Sequence, residues 1–182
     1  MKKLLLIAAL AAATYSATAQ GTIDFRNNTS APVFDADGTT RLSGATFVAN
    51  LYWATSAAGP WTVVNAAAGG AAAAVPFRTG TGAGVWNAGT DPARVTGVAA
   101  TGTVFLQVRA WDTATGATFD TATKRGSSTP WSQAQGGAGD PPALPTAITG
   151  NGFTSFSLVI PEPSTVLLSL LGAALLVVRR RK

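Results

Sequence analysis

The sequence predicts an all-β body, a single antiparallel β-sandwich of jelly-roll or Ig-like type, with an apolar address at each end of the chain. Three observations predict it. Apolar and polar residues alternate with a period of two in several stretches. Gly, Pro, Thr and Asn separate those stretches at turn-like intervals. Between the two termini no amphipathic helical pattern persists.

Taken in chain order, TIDF (Thr22 to Phe25) is the first short strand. FVANLYW places Phe47, Ala49, Leu51 and Trp53 on one side. WTVVN (Trp61 to Asn65) and AVPF (Ala74 to Phe77) are shorter candidates on either side of an Ala-rich stretch. That stretch, Asn65 to Ala74, has helix propensity, but Gly69-Gly70 cuts it into halves too short to stand, so it reads as a loop with a strand at its end. TVFLQVRAW alternates most strongly, with Val104, Leu106, Val108 and Ala110 on one face and Thr103, Gln107 and Arg109 on the other. ATFD (Ala117 to Asp120) follows. Ser128 to Thr146, rich in Gly and Pro, reads as a long loop, and FSLVI closes the body with Phe156, Leu158 and Ile160 aligned. Phe47 to Trp53 and Phe105 to Trp111 share one spacing, each followed by a Thr/Ala stretch ending in glycine (Gly59, Gly116). Two strands in similar environments explain this more simply than an internal duplication.

Both ends read as addresses. Lys2 and Lys3 precede an apolar run from Leu4 to Ala13, and Ala17-Thr18-Ala19 fits the small-x-small pattern cut by signal peptidase, which makes residues 1–19 a signal peptide and Gln20 the first mature residue. The run is on the order of 10 residues, too short for a span needing ~20. At the other end, Val166 to Val178 is apolar for ~20 Å as a helix, against a hydrocarbon core of ~30 Å. Ser164, Thr165 and snorkelling arginine stems extend its reach, so it reads as a short membrane helix. Gly172-Ala173-Ala174 within it is small filler rather than a packing face. Arg179, Arg180, Arg181 and Lys182 then act as a stop held on the cytoplasmic side.

A plain anchor needs no Pro161-Glu162-Pro163. Two prolines around a glutamate exclude helix and hold the chain extended, as a protease substrate must be. Pro161, Glu162, Pro163, Ser164 and Thr165, the apolar run and the Arg-rich end together resemble the PEP-CTERM sorting signal of Gram-negative bacteria. The resemblance covers about the last 25 residues and implies recognition by exosortase, a membrane-embedded cysteine transpeptidase-like enzyme, followed by removal of the tail. It also implies an exported, surface or matrix protein, held at the inner membrane only until processing. The domains are therefore 1–19 signal peptide, 20–160 body and 161–182 sorting signal.

Composition narrows the rest. The formal charge of +5 comes wholly from Lys2, Lys3 and the four terminal cations, less Glu162. Arg26, Arg41, Arg78, Arg94, Arg109, Lys124 and Arg125 are matched in the body by Asp24, Asp35, Asp37, Asp91, Asp112, Asp120 and Asp140. A neutral body is no nucleic-acid binder. There is no cysteine and no histidine, which removes disulfides, the common zinc, copper and haem ligand sets and the usual base for a Ser or Cys nucleophile. No cofactor is expected.

Local motifs add little chemistry. RTGTGAGVW (Arg78 to Trp86) has the glycines of a phosphate loop without its Lys-Ser/Thr ending, and reads as a turn. DADGT (Asp35 to Thr39) opens like a calcium loop, but no bidentate acid follows before Asp91, so a hairpin turn is expected and no metal. Asn27-Asn28-Thr29 satisfies a glycosylation sequon by coincidence. Of the five tryptophans, Trp53 belongs with Leu51 in the core. Trp61, Trp86 and Trp131 lie beside Pro or Gly and are the candidate glycan contacts. The expectation is a non-catalytic structural or adhesive module linked to exopolysaccharide or biofilm. The alternative is a carbohydrate-binding module with exopolysaccharide as its partner. An enzyme resting on Asp35 and Asp37 comes third.

Overall fold

The computed structural model describes residues 20–67, 69–89, 93–100 and 102–160. Among these residues ten strands form two sheets: β1 Gln20–Asp24, β2 Phe47–Ala54, β3 Thr62–Val63, β4 Asn65–Ala66, β5 Val75–Pro76, β6 Ala93–Ala99, β7 Thr103–Asp112, β8 Arg125–Ser127, β9 Trp131–Ala134 and β10 Thr146–Ala147. The smaller sheet runs β10-β1-β6-β4. The larger is built on β3-β2-β7-β8, with β5 also on β2 and β9 also on β7. The body is therefore all-β and two-layered, as the period-two alternation requires. Two pairings among the described residues depart from the antiparallel expectation: β1 and β10 run parallel, with Ile23 opposite Thr146, and so does the bridge between Phe34 and Ser157.

The centre is the β2–β7 ladder. Ala49 faces Ala110, Leu51 faces Val108 and Trp53 faces Leu106, and directly opposed residues share a sheet face. Val104, Leu106, Val108 and Ala110 are all within 1% of full burial. They meet Ile23 of β1, Phe25 just beyond it, and Leu158 near the end of the body in one core. Trp86 is fully packed within it. Its ring lies 4.8 Å from Phe25, 5.5 Å from Phe153 and 6.0 Å from Phe77.

WTVVN does not make one strand. Thr62 and Val63 pair with β2 in the larger sheet, while Asn65 and Ala66 pair with β6 in the smaller. The chain changes sheets at Val64, which is wholly buried between them. ATFD is a turn, not a strand. The Thr118 and Thr121 side chains bond to each other and to one another's backbone, offering the chain a local alternative to a ladder. The expected loop from Ser128 to Thr146 contains β9, which pairs with β7 so that Trp131 faces Leu106 and Gln133 faces Val104. Of the aligned FSLVI residues, Leu158 is buried but Ile160 is 56% exposed, because the ladder ends at Val159.

The two predicted turns form. DADGT closes between Phe34 and Arg41, with Asp35 N donating to Thr40 O at 2.7 Å and Gly38 at φ 71°. RTGTGAGVW is a 3-10 turn at Gly80–Gly82 closed by the Phe77–Trp86 bridge. Gly84 there has φ 83°, and a Cβ on it would lie 2.6 Å from Pro32 Cβ. Only glycine fits.

Among the described residues no helix is long and apolar enough to cross a membrane. The signal-cleavage residues Ala17 and Ala19, the motif Pro161 to Thr165, the apolar run and Arg179, Arg180, Arg181 and Lys182 lie outside the described residues.

Candidate functional site

The three tryptophans singled out for sugar stacking do not form a surface group. Trp86 is 1% and Trp131 8% exposed, which corrects their expected placement. After Gly84 the chain turns inward, and Trp86 Nε1 donates to Phe25 O at 2.8 Å, so the indole is held from both its polar and apolar sides. Trp131 occupies an inward position of β9, its ring 5.7 Å from Phe153 and its Nε1 donating to Gln133 Oε1 at 3.0 Å. Neither has an open ring face to offer a sugar. Trp61 is half-buried, lying over Gly59, and Trp53 is half-buried against the core. The sequon residue Asn27 is likewise buried. Its amide bonds Ala31 O, Gly84 O and Trp86 N, leaving no room for a glycan.

A second aromatic group, on the outer face of the larger sheet, escaped sequence reading. The Arg109 guanidinium lies 4.3 Å over Tyr52 and 5.0 Å over Phe119, and Arg125 lies 5.2 Å over Phe119. Phe119 also packs edge-on against Trp111 at 6.3 Å. The turn that replaced the ATFD strand brings Phe119 there, and Arg125 Nη1 fastens it by donating to Phe119 O and Asp120 O, each at 2.7 Å. Burial pushes the Tyr52 phenol up, with the Arg109 charge opposing it. Cations already cover these rings. The cluster binds the loop to the sheet and presents no bare aromatic platform. Arg109 on the polar face of β7 was the one visible signal.

The acidic pair is also committed elsewhere. Asp35 holds Lys124, with Nζ 2.7 Å from Oδ1 and 2.8 Å from Oδ2. Asp37 accepts the Thr40 hydroxyl at 2.5 Å and the Thr39 and Thr40 amides at 2.9 and 2.8 Å. These bonds, the Thr40 hydroxyl foremost, bring its carboxyl down to about 2. One aspartate is an ion-pair partner and the other a turn cap, so they do not share a proton as an acid/base pair would. Among the described residues no group of three or more His, Cys, Asp or Glu side chains could hold a metal.

What remains is the place where the chain leaves the body. Phe156 to Val159 runs between two neighbours. Phe34 N donates to Phe156 O at 2.9 Å and Leu158 N to Phe34 O at 3.0 Å. On the other side Arg125 N donates to Val159 O at 3.1 Å and Val159 N to Arg125 O at 2.8 Å. The body thus ends as an extended segment bridged to Phe34 on one side and to β8 on the other. Val159 and Ile160 then emerge 58% and 56% exposed.

No curated protein and no solved structure matches the chain. A family model does, and its match begins at this exit: residues 159–182 match the PEP-CTERM protein-sorting motif, so the chain carries, from its last bridged residue onward, a signal for processing by exosortase.

Proposed function

We propose that this chain is an exported protein whose β-sandwich body serves a non-catalytic structural or adhesive role at the cell envelope or in the extracellular matrix. The signal peptide at 1–19 would deliver it through the Sec route and signal peptidase. Residues 161–182 would hold it at the inner membrane until exosortase removes them. The PEP-CTERM match at residues 159–182 carries this reading. Support for a non-catalytic body comes from what its polar groups already do: Asp35, Asp37, Arg109 and Arg125 are each engaged in holding a turn or loop. A matrix role fits a cysteine-free body stabilised by its core alone.

Intact-mass measurement on envelope and medium fractions of the native host tests the sorting step. The mature protein should begin at Gln20 and lack Arg179 to Lys182. Glu162 is the only glutamate in the chain, so recognition of an acid in the triplet must use it. Glu162→Gln should leave export and folding intact and leave the tail in place. Wild-type protein that retains its C-terminal cations, or normal trimming of Glu162→Gln, replaces this reading with a plain anchor.

A further inference from the structure

The body and the sorting signal are joined without a linker. Val159 exchanges both of its backbone bonds with Arg125, and only Ile160 stands between it and Pro161. Fully extended, the chain from Val159 to Pro161 reaches at most about 7 Å. The clamp is also anchored from inside, since Leu158 is 1% exposed and belongs to the core. Its closeness to β8 depends on Gly126, where a Cβ would lie 2.4 Å from Ser157 O and 2.9 Å from Leu158 Cα. Across the segment, the Asp35–Thr40 turn stands close by, with a Cβ on Gly38 coming 4.0 Å from Ser157 Oγ.

We propose that folding of the body gates removal of the tail: the clamped segment Phe156 to Val159 withholds from exosortase the residues immediately before Pro161, and the folded body thereby limits the rate of cleavage. Proteolytic enzymes take their substrates as extended chain whose backbone groups pair with the enzyme. Here the carbonyl of Phe156, the amide of Leu158 and both groups of Val159 are already paired within the body, with Phe34 and Arg125. Releasing them means withdrawing Leu158 from the core. The inference rests on the sorting reading above.

The test is a pulse-labelled time course of tail removal in the native host, using the full chain. A flexible Gly/Ser spacer inserted between Ile160 and Pro161 lengthens the exit and touches no sheet contact. Gly126→Val instead forces Ser157 and Leu158 away from β8. Both variants should lose the tail several-fold faster than wild type. Amide exchange at Val159 in the purified full-length chain should be unchanged by the spacer and accelerated by Gly126→Val. If Gly126→Val fails to fold, the spacer variant decides alone. Trimming of the spacer variant at or below the wild-type rate, with wild type itself trimmed, overturns the gate and leaves the sorting reading standing. Wild type that is never trimmed overturns both.

Discussion

Trp86 stacks on Phe25 at 4.8 Å and donates its Nε1 to the carbonyl of that same residue at 2.8 Å. One side chain thus satisfies a buried backbone acceptor just beyond β1 and fills the space between the sheets. The two contributions separate by substitution. Trp86→Ala should cost about 3–5 kcal/mol through the cavity it leaves. Trp86→Phe keeps most of the packing but leaves Phe25 O without its donor, for about 1–3 kcal/mol. Urea midpoints of the two variants against wild type check this ordering, and a Trp86→Phe midpoint equal to wild type would show that the hydrogen bond contributes nothing.

Asn27 supports the same corner from the polar side. Its Nδ2 donates to Ala31 O at 3.2 Å and Gly84 O at 3.0 Å, while its Oδ1 accepts from Trp86 N at 3.1 Å. Asn27→Ala should destabilise by about 2–4 kcal/mol because several buried backbone groups lose their partner together. Asn27→Asp should be worse than Asn27→Ala at neutral pH, since a buried carboxylate would face two carbonyl oxygens. Asn28 lies next to it but is exposed, and Asn28→Ala should stay within about 1 kcal/mol. Thermal melts of the three variants decide the matter.

These two residues also show where the sequence could be read and where it could not. Strand β7 was legible because every inward position from Val104 to Ala110 is apolar and buried. Strand β9 was not, because one of its inward positions is Gln133. That side chain is satisfied by Thr146 O and Ala147 O, which lie 13 and 14 residues further along the chain. Strand β6 was hidden in the same way by Arg94, buried with its guanidinium 5.7 Å over Phe25. A polar residue inside a strand reads as solvent-facing until its distant partner is known. Trp86 and Trp131 were misplaced because neighbouring Gly or Pro residues suggested surface loops, whereas Gly84 and Gly152 allow close packing. A Cβ on Gly152 would come 2.7 Å from Trp131 Cδ1. The sorting signal was legible because its information is linear: order and composition of parts, with no need of tertiary contacts.

The tryptophan placement has an optical consequence. Trp86, Trp111 and Trp131 are buried, while Trp53 and Trp61 are half-buried. Iodide should therefore quench emission from Trp53 and Trp61 alone. The double variant Trp53→Phe, Trp61→Phe should lose nearly all quenchable emission, and Trp131→Phe should leave it unchanged. Strong quenching that survives in the double variant would place another indole at the surface.

The Asp35–Thr40 turn gives a pH signature. Asp37 is fully exposed, and its carboxyl is brought from 3.8 to about 2 first by the Thr40 hydroxyl, then by the Thr39 and Thr40 amides. A depressed carboxyl binds its proton less readily folded than unfolded. Its stabilising contribution is therefore present above the unfolded value and is lost as pH falls through the folded one. The turn should hold at pH 4 and loosen over the interval from roughly pH 4 to pH 2. The Thr39 and Thr40 amide resonances should titrate with a midpoint near 2, well below an ordinary aspartate. Asp37→Asn should abolish that titration while keeping an acceptor for the two amides, and Thr40→Val should move the Asp37 midpoint back up by removing the largest single cause. A midpoint near 3.8 in the wild-type chain would show that the hydroxyl and amides do not cap the carboxylate in solution, and no change in Thr40→Val would remove the hydroxyl from the account. The turn would then be held by its backbone bonds from Asp35 to Thr40 and Gly38 to Asp35, the Asp35–Lys124 pair and the Phe34–Arg41 bridge.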